Sequence, residues 1–287
     1  MVDLVSVNLT KVFDRVVALS GISFNISGRV VAIVGPNGSG KTTLLSIISG
    51  LRKPSSGRLL LDGMEPYNDR SSAVERVAFH FAKPRFPLNM GVSSIIDLVG
   101  DLCRDREKFL SSVERLGIPR YFSRRLFELS SGEAQLLSLV ISLSCHEDSI
   151  AVIDEPLAHL DVWRQSLLID MIGSRGNVIF TTHVLEEAEV LADQAIILLN
   201  GRLVWAGGVD ELFLDDMYEL FVIRRCRGRV EELIRNNGGS VVADFGASLL
   251  VRGVDWSTIE KLYSGRLILG VRRAGIRRKI YGEKGQA

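Results

Sequence analysis

The residues best equipped for chemistry stand together in Gly35-Pro36-Asn37-Gly38-Ser39-Gly40-Lys41-Thr42-Thr43. Their spacing is G-x-x-x-x-G-K-[ST]. The apolar run 30–34 precedes them, and Leu44-Leu45-Ser46-Ile47-Ile48 follows as a helix expected to end at Gly50. A glycine loop between a strand and a helix lets main-chain N–H groups crowd around a polyphosphate, and the helix N-terminus adds partial positive charge. Lys41 is placed to reach the β- and γ-phosphates, and Thr42 to set its hydroxyl on Mg²⁺. The pattern implies a nucleoside triphosphate site.

Further candidates lie far along the chain. Residues 150–153 read as a buried strand ending in Asp154-Glu155-Pro156. Asp154 stands where a Mg²⁺ held by Thr42 would need a carboxylate, and Glu155 could polarise the water that attacks the γ-phosphate. His183 follows the strand 177–181, at the end where ligands bind in open α/β sheets, and is a candidate γ-phosphate contact. Phe13, in the polar turn 10–14, could stack on an adenine or fold onto a sheet edge; its neighbours leave both readings open.

Elements of several kinds must bring these residues together. Val5, Val7 and Leu9 alternate with polar residues, as do Ile22, Phe24 and Ile26. Two half-exposed strands ahead of a buried one suggest an antiparallel layer beside a parallel core, an α/β fold. A strand at 58–61 enters an Asp62-Gly63 turn, and another at 76–80 runs into Pro84 and Pro87. Residues 93–127 then carry only helical spacing, so an all-helical insert is expected at about 84–130. Ser130 and Glu133 have capping-box spacing ahead of a helix over 134–145, and a second helix should start at Asp161. Asn200-Gly201 marks a hairpin within 195–205. The first domain is placed at 1–208 and an acidic linker at 209–217. The rest, 218–287, has strand, helix, strand, strand, helix, strand order, a ferredoxin-like unit.

Composition narrows the partners. Net charge is +1 over 287 residues, so no global field recruits nucleic acid or a membrane. Hydrophobic residues make up 46%, yet no apolar run approaches the about 20 needed to span a bilayer. No signal peptide is visible. Cys103, Cys145 and Cys226 show neither metal spacing nor a disulfide framework and are expected as free thiols in the cytosol. From Ser264 onward seven Lys or Arg face one acid, Glu283; such a run is a solvated face or an anionic-lipid contact.

With these motifs in order, the chain resembles the nucleotide-binding subunit of an ATP-binding cassette (ABC) transporter over about residues 3 to 208. The resemblance implies that 35–43 is the Walker A loop and that 150–155 is the Walker B strand with its catalytic glutamate. Leu129-Ser130-Ser131-Gly132-Glu133 would be the signature, Ala158-His159-Leu160-Asp161 the D-loop, His183 the switch histidine and Phe13 the adenine-stacking aromatic. It further implies ATP and Mg²⁺, a second nucleotide-binding subunit (a homo- or heterodimer), and an integral-membrane permease at the cytoplasmic face of the cell membrane. Export is expected, because the C-terminal unit looks like the tail of exporter-type cassettes. In such dimers Ser130 and the N–H groups after it would face a γ-phosphate held by the other subunit.

The sequence departs from the family pattern at three places. The family's Gln after the strand matching 77–81 is missing: Phe81-Ala82-Lys83-Pro84 stands there, with no Gln from 77 to 92. Ser131 replaces the first signature glycine, which is harmless at negative φ and costly at positive φ. The D-loop carries Ala158 and His159 where Ser and Gly are usual. Two rival readings follow: a soluble ABC protein outside transport, and a weakly hydrolysing cassette paired with a more active one.

Overall fold

Period-two alternation opens the chain as two long antiparallel strands, β1 (Val2–Phe13) and β2 (Val16–Gly28). An apolar run follows as β3 (Val30–Val34), buried throughout, and the glycine loop leads into α1 (Lys41–Ile48). β4 (Ser56–Leu61) pairs with β1 and completes a three-stranded antiparallel sheet in the order β2-β1-β4. Next come α2 (Arg70–Arg76), β5 (Val77–His80) and the helices α3 (Val92–Leu102), α4 (Arg106–Arg115) and α5 (Ser131–Ser144). The alternation then resumes as β6 (Ile150–Asp154), α6 (Val162–Arg175), β7 (Val178–Thr182), α7 (Leu185–Leu191), β8 (Gln194–Leu199) and β9 (Arg202–Gly208). These observations come from a computed structural model that describes residues 1–80, 89–145, 148–213 and 217–277. It divides into two units, Met1–Ala206 and Gly207–Ala287.

The second sheet of the first unit has the order β5-β6-β7-β3-β8-β9, and its ladders from β5 to β8 are parallel. β9 folds back through Asn200 and Gly201, both at positive φ (50° and 75°), as a two-residue primed turn requires. α1 lies between the two sheets. Leu44, Leu45, Ile47 and Ile48 share one core with Leu4, Ile22 and Leu61 of the antiparallel sheet and with Ile33, Val152, Ile179 and Ile196 of the parallel one. Each such side chain contributes about 1.5–3 kcal/mol by burial. A helix apolar on nearly every side, clamped from both faces, holds the loop before it in place.

Three expectations need correction in this unit. Phe13 is not in a turn but is the last residue of β1, paired with Val16. The spacing gave no sign of α2 or α7. The cysteines are not all free: Cys103 and Cys145, the C-terminal caps of α3 and α5, form a disulfide with their Cα atoms 4.6 Å apart. A separation of 42 residues hides a pairing that only tertiary packing of the insert and α5 creates. Cys226 is the free one and is half-buried.

In the second unit β10 (Met217–Val222), α8 (Arg227–Asn236), β11 (Ser240–Asp244), β12 (Ser248–Arg252), α9 (Trp256–Ser264) and β13 (Ile268–Arg273) follow the expected βαββαβ order. The sheet runs β11-β12-β10-β13 with every ladder antiparallel, and α8 and α9 bury Val230, Ile234, Ile259 and Leu262 against it. The stretch expected as an acidic linker is partly folded: Val209–Phe213 is a 3₁₀ turn with Val209 and Leu212 buried. Part of the basic run is also turned inward rather than solvated. Arg272 and Arg277 pair with Glu219, a carboxylate only 1% exposed, at 2.7 and 3.2 Å. Residues 278–287 lie outside the described residues.

Candidate active site

β3 delivers Gly35 to the carboxyl edge of the parallel sheet and α1 leaves it at Lys41. Between them Gly38 and Gly40 have φ of 79° and 102°. A Cβ on Gly40 would stand 2.6 Å from the Ala18 carbonyl oxygen, so both conformation and space demand glycine there. Pro36, Asn37 and Gly38 are exposed at the rim, with Thr42 beside them and Thr43 half-buried. No side chain caps α1, which leaves the N–H groups of its first turn without an intrahelical partner. The Ser39 hydroxyl is buried and has no hydrogen-bond partner among the described residues. Lys41 is 5% exposed, and its Nζ donates to the carbonyls of Gly35 at 2.8 Å and Pro36 at 3.1 Å. Burial lowers its pKa, opposed by the charges of Glu155 and Asp154. Unspent N–H groups, an orphaned hydroxyl and a buried ammonium form a cradle suited to a polyphosphate.

The acids converge on the same edge. β6 ends at Asp154, in register with Thr181 of β7, and β7 in turn lies beside β3. The Thr42 hydroxyl stands 3.3 Å from Asp154 Oδ2, and Thr181 Oγ1 donates to Asp154 Oδ1 at 2.5 Å. Burial raises the Asp154 pKa; the two threonine hydroxyls and Lys41 oppose the shift, and Glu155 adds to it. Glu155 takes up a left-handed conformation, φ 49°. Its Oε1 lies 3.2 Å from His183 Nδ1. An ionised carboxylate only accepts, so this bond requires the proton on Nδ1.

Lys41, Thr42, Asp154, Glu155 and His183, chosen from the sequence, are thus brought together. Thr181 was not chosen, although a threonine inside the apolar run of β7 is the kind of signal that could have marked it. Its one hydroxyl also accepts the Glu155 N–H at 3.0 Å. Glu187, also missed, receives the Thr182 hydroxyl at 2.5 Å, and burial raises its pKa.

The signature residues form a separate surface. Ser130 is the N-cap of α5, where its Oγ accepts the Glu133 N–H at 3.3 Å while Glu133 reaches back to the Ser130 N–H at 2.8 Å. The expected capping box is present, and the hydroxyl keeps its own proton to donate. Ser131 is the first helical residue and is not among the positive-φ positions, so its replacement of glycine carries no backbone strain. Ser130 and Ser131 are exposed, and Gly132 backs onto the turn after β6. No hydrogen bond among the described residues joins 130–132 to the glycine loop. Phe13 is half-buried, with Lys11 Nζ and the Arg52 guanidinium each 5.1 Å from its ring centre. The stretch 81–84, where the family glutamine is missing, lies outside the described residues.

A family model described as ABC transporter matches residues 19–158. A provisionally named ABC transporter ATP-binding protein of Pyrococcus furiosus is 30% identical over 251 residues, covering 77% of this chain and 93% of that one. A sulfate/thiosulfate import ATP-binding protein of Caulobacter vibrioides is 34% identical over 224 residues, covering 71% of this chain and 64% of that one. Among solved structures, a dimeric ATP-binding cassette in a post-hydrolysis state, bound to ADP and Pi, matches with a TM-score of 0.61 at 23% identity. That match covers 72% of this chain and 98% of the other.

Proposed function

Since the chain belongs to the family of ABC transporter ATP-binding subunits, we propose that it is the ATP-hydrolysing motor for a membrane permease carried on a separate chain. The fold is the P-loop NTPase cassette. The observation that carries the reading is the meeting of Lys41, Thr42, Asp154, Glu155 and His183 at the carboxyl edge of β3, β6 and β7.

The glycine loop and the first turn of α1 hold the phosphates, with Lys41 as the cation aimed at them. Thr42 and Asp154 offer hard oxygen donors of the kind Mg²⁺ takes, and they would hold that ion beside the phosphates. When bound, the ion neutralises charge on the phosphate oxygens. Glu155 orients the attacking water and accepts its proton, and His183 steadies that carboxylate through Nδ1. The second nucleotide-binding subunit presents its own capped helix, Ser130 foremost, to the far side of the γ-phosphate. ATP then holds two subunits together and hydrolysis releases them.

No helix among the described residues is long and apolar enough to cross a membrane. On this reading the chain works at the cytoplasmic face of the cell membrane, docked on its permease and with no role for nucleic acid. With Asp154, Glu155 and His183 all in position, a hydrolysing subunit is favoured over a regulatory one. Export is the direction we favour, from the likeness of the βαββαβ unit to exporter-type tails. Import is the second reading, and the 34% identity to a sulfate/thiosulfate import protein supports it.

The test is Glu155→Gln. The amide keeps the shape, loses the charge that activates water, and removes a negative charge from the closed interface. The variant should bind ATP, stop turning over and accumulate as a dimer in light scattering. A variant that stays monomeric at saturating ATP and Mg²⁺ would refute the dimer, and one that hydrolyses normally would refute the role of Glu155.

A further inference from the structure

The left-handed conformation of Glu155 is one a residue with a side chain rarely adopts, so its surroundings must impose it. Two side chains grip its main chain from opposite sides. Thr181 Oγ1 accepts the N–H at 3.0 Å, and Gln135 Nε2 donates to the carbonyl at 2.9 Å. Gln135 is 1% exposed and belongs to α5, the helix capped by Ser130. The first turn of α5 touches the same segment again. A Cβ on Gly132 would stand 2.9 Å from the His159 carbonyl oxygen, and His159 is also at positive φ, 61°. The N-terminal turns of α5 are therefore seated on both ends of the 155–159 turn, by a hydrogen bond to Glu155 and a glycine contact at His159.

We propose that Gln135 is a positioning residue for hydrolysis: its amide ties the main chain of Glu155 to the signature helix of the same chain, so that engagement of that helix sets the aim of the carboxylate. The inference rests on the dimer proposed above. In that dimer Ser130 meets nucleotide held by the other subunit, whereas Glu155 serves nucleotide held by its own. α5 is thus one body with a role in both sites. When its N-terminus is drawn onto the other subunit's phosphate, Gln135 moves with it and the Glu155 carbonyl must follow. The water-activating carboxylate of one site then reads the occupancy of the other through a single buried amide.

The test separates this role from a loss of signature presentation. Gln135→Met keeps length and apolar volume, and Gln135→Glu keeps shape but offers no donor when ionised. Chains with intact Glu155 are mixed with a large excess of E155Q chains, so that every hydrolysing site sits in a mixed dimer. In one arrangement the Gln135 substitution rides on the Glu155 chain; in the other it rides on the E155Q chain, whose signature serves the hydrolysing site. A positioning role predicts that kcat falls about tenfold more in the first arrangement than in the second, with KM for ATP changed less than about threefold. An equal loss in both, a larger loss in the second, or no loss in either overturns the proposal. If one variant does not fold, as judged by ATP binding, the other carries the same comparison. Absence of turnover by the unsubstituted chain would instead defeat the underlying reading.

Discussion

Thr181 serves two acidic residues with one hydroxyl, donating to the carboxylate of Asp154 and accepting the N–H of Glu155. Thr181→Val would preserve its volume and strip both bonds, leaving a part-buried N–H without its acceptor at a cost of about 1–3 kcal/mol. ATP hydrolysis is expected to fall about tenfold or more, since about 1.4 kcal/mol is a factor of ten. Thr181→Ser, which keeps the hydroxyl, should retain most of the rate. Steady-state turnover of both variants checks this, and equal rates would remove Thr181 from the site. Residues of this kind were harder to read from the sequence than Lys41 or Glu155. The glycine loop and the strand-end acids declare themselves by local spacing. Thr181 and Gln135 act on Glu155 from 26 and 20 residues away, through sheet register and helix packing that no local pattern records.

Legibility followed the same rule among the elements. β1, β2 and the parallel strands stood out because burial on one face or both imprints alternation or an apolar run. α2 and α7 escaped notice because they are seven residues each and bury only Ala73, or Ala188 and Leu191, too few for a helical stripe. The disulfide escaped for a different reason. It joins the ends of α3 and α5 across a 42-residue separation and so ties a helix of the insert to the helix that Ser130 caps. Closing a loop of that length stabilises the folded state by about 2–4 kcal/mol in the chain-entropy account. Reduction should therefore lower the urea midpoint, and Cys103→Ser should unfold at the reduced midpoint with or without reductant. Identical midpoints for oxidised and reduced protein would show that the bond contributes nothing.

For the whole molecule, the weak point on the acid side is His80. It is 1% exposed at the end of β5, and burial lowers its pKa from 6.5 to about 4, against a smaller opposing contribution from the Gln135 main chain. The unfolded chain takes up a proton near pH 6.5, while the folded one resists until near pH 4. Stability is thus complete above the unfolded value and is lost as pH falls through this window, by about 3 kcal/mol at 1.36 kcal/mol per unit. Denaturant midpoints at pH 7 and pH 4.5 measure the loss, and His80→Leu should shrink it; an unchanged pH slope in that variant would exonerate His80. At neutral pH the molecule has a different property, set by the lysine that locks its glycine loop. Lys41 Nζ donates to the carbonyls of Gly35 and Pro36, so its ammonium braces the loop from within. On the proposed function, a bound triphosphate would trade places with those two oxygens: the ammonium would exchange carbonyl acceptors for phosphate ones, with the loop itself kept in shape by its glycines and by α1.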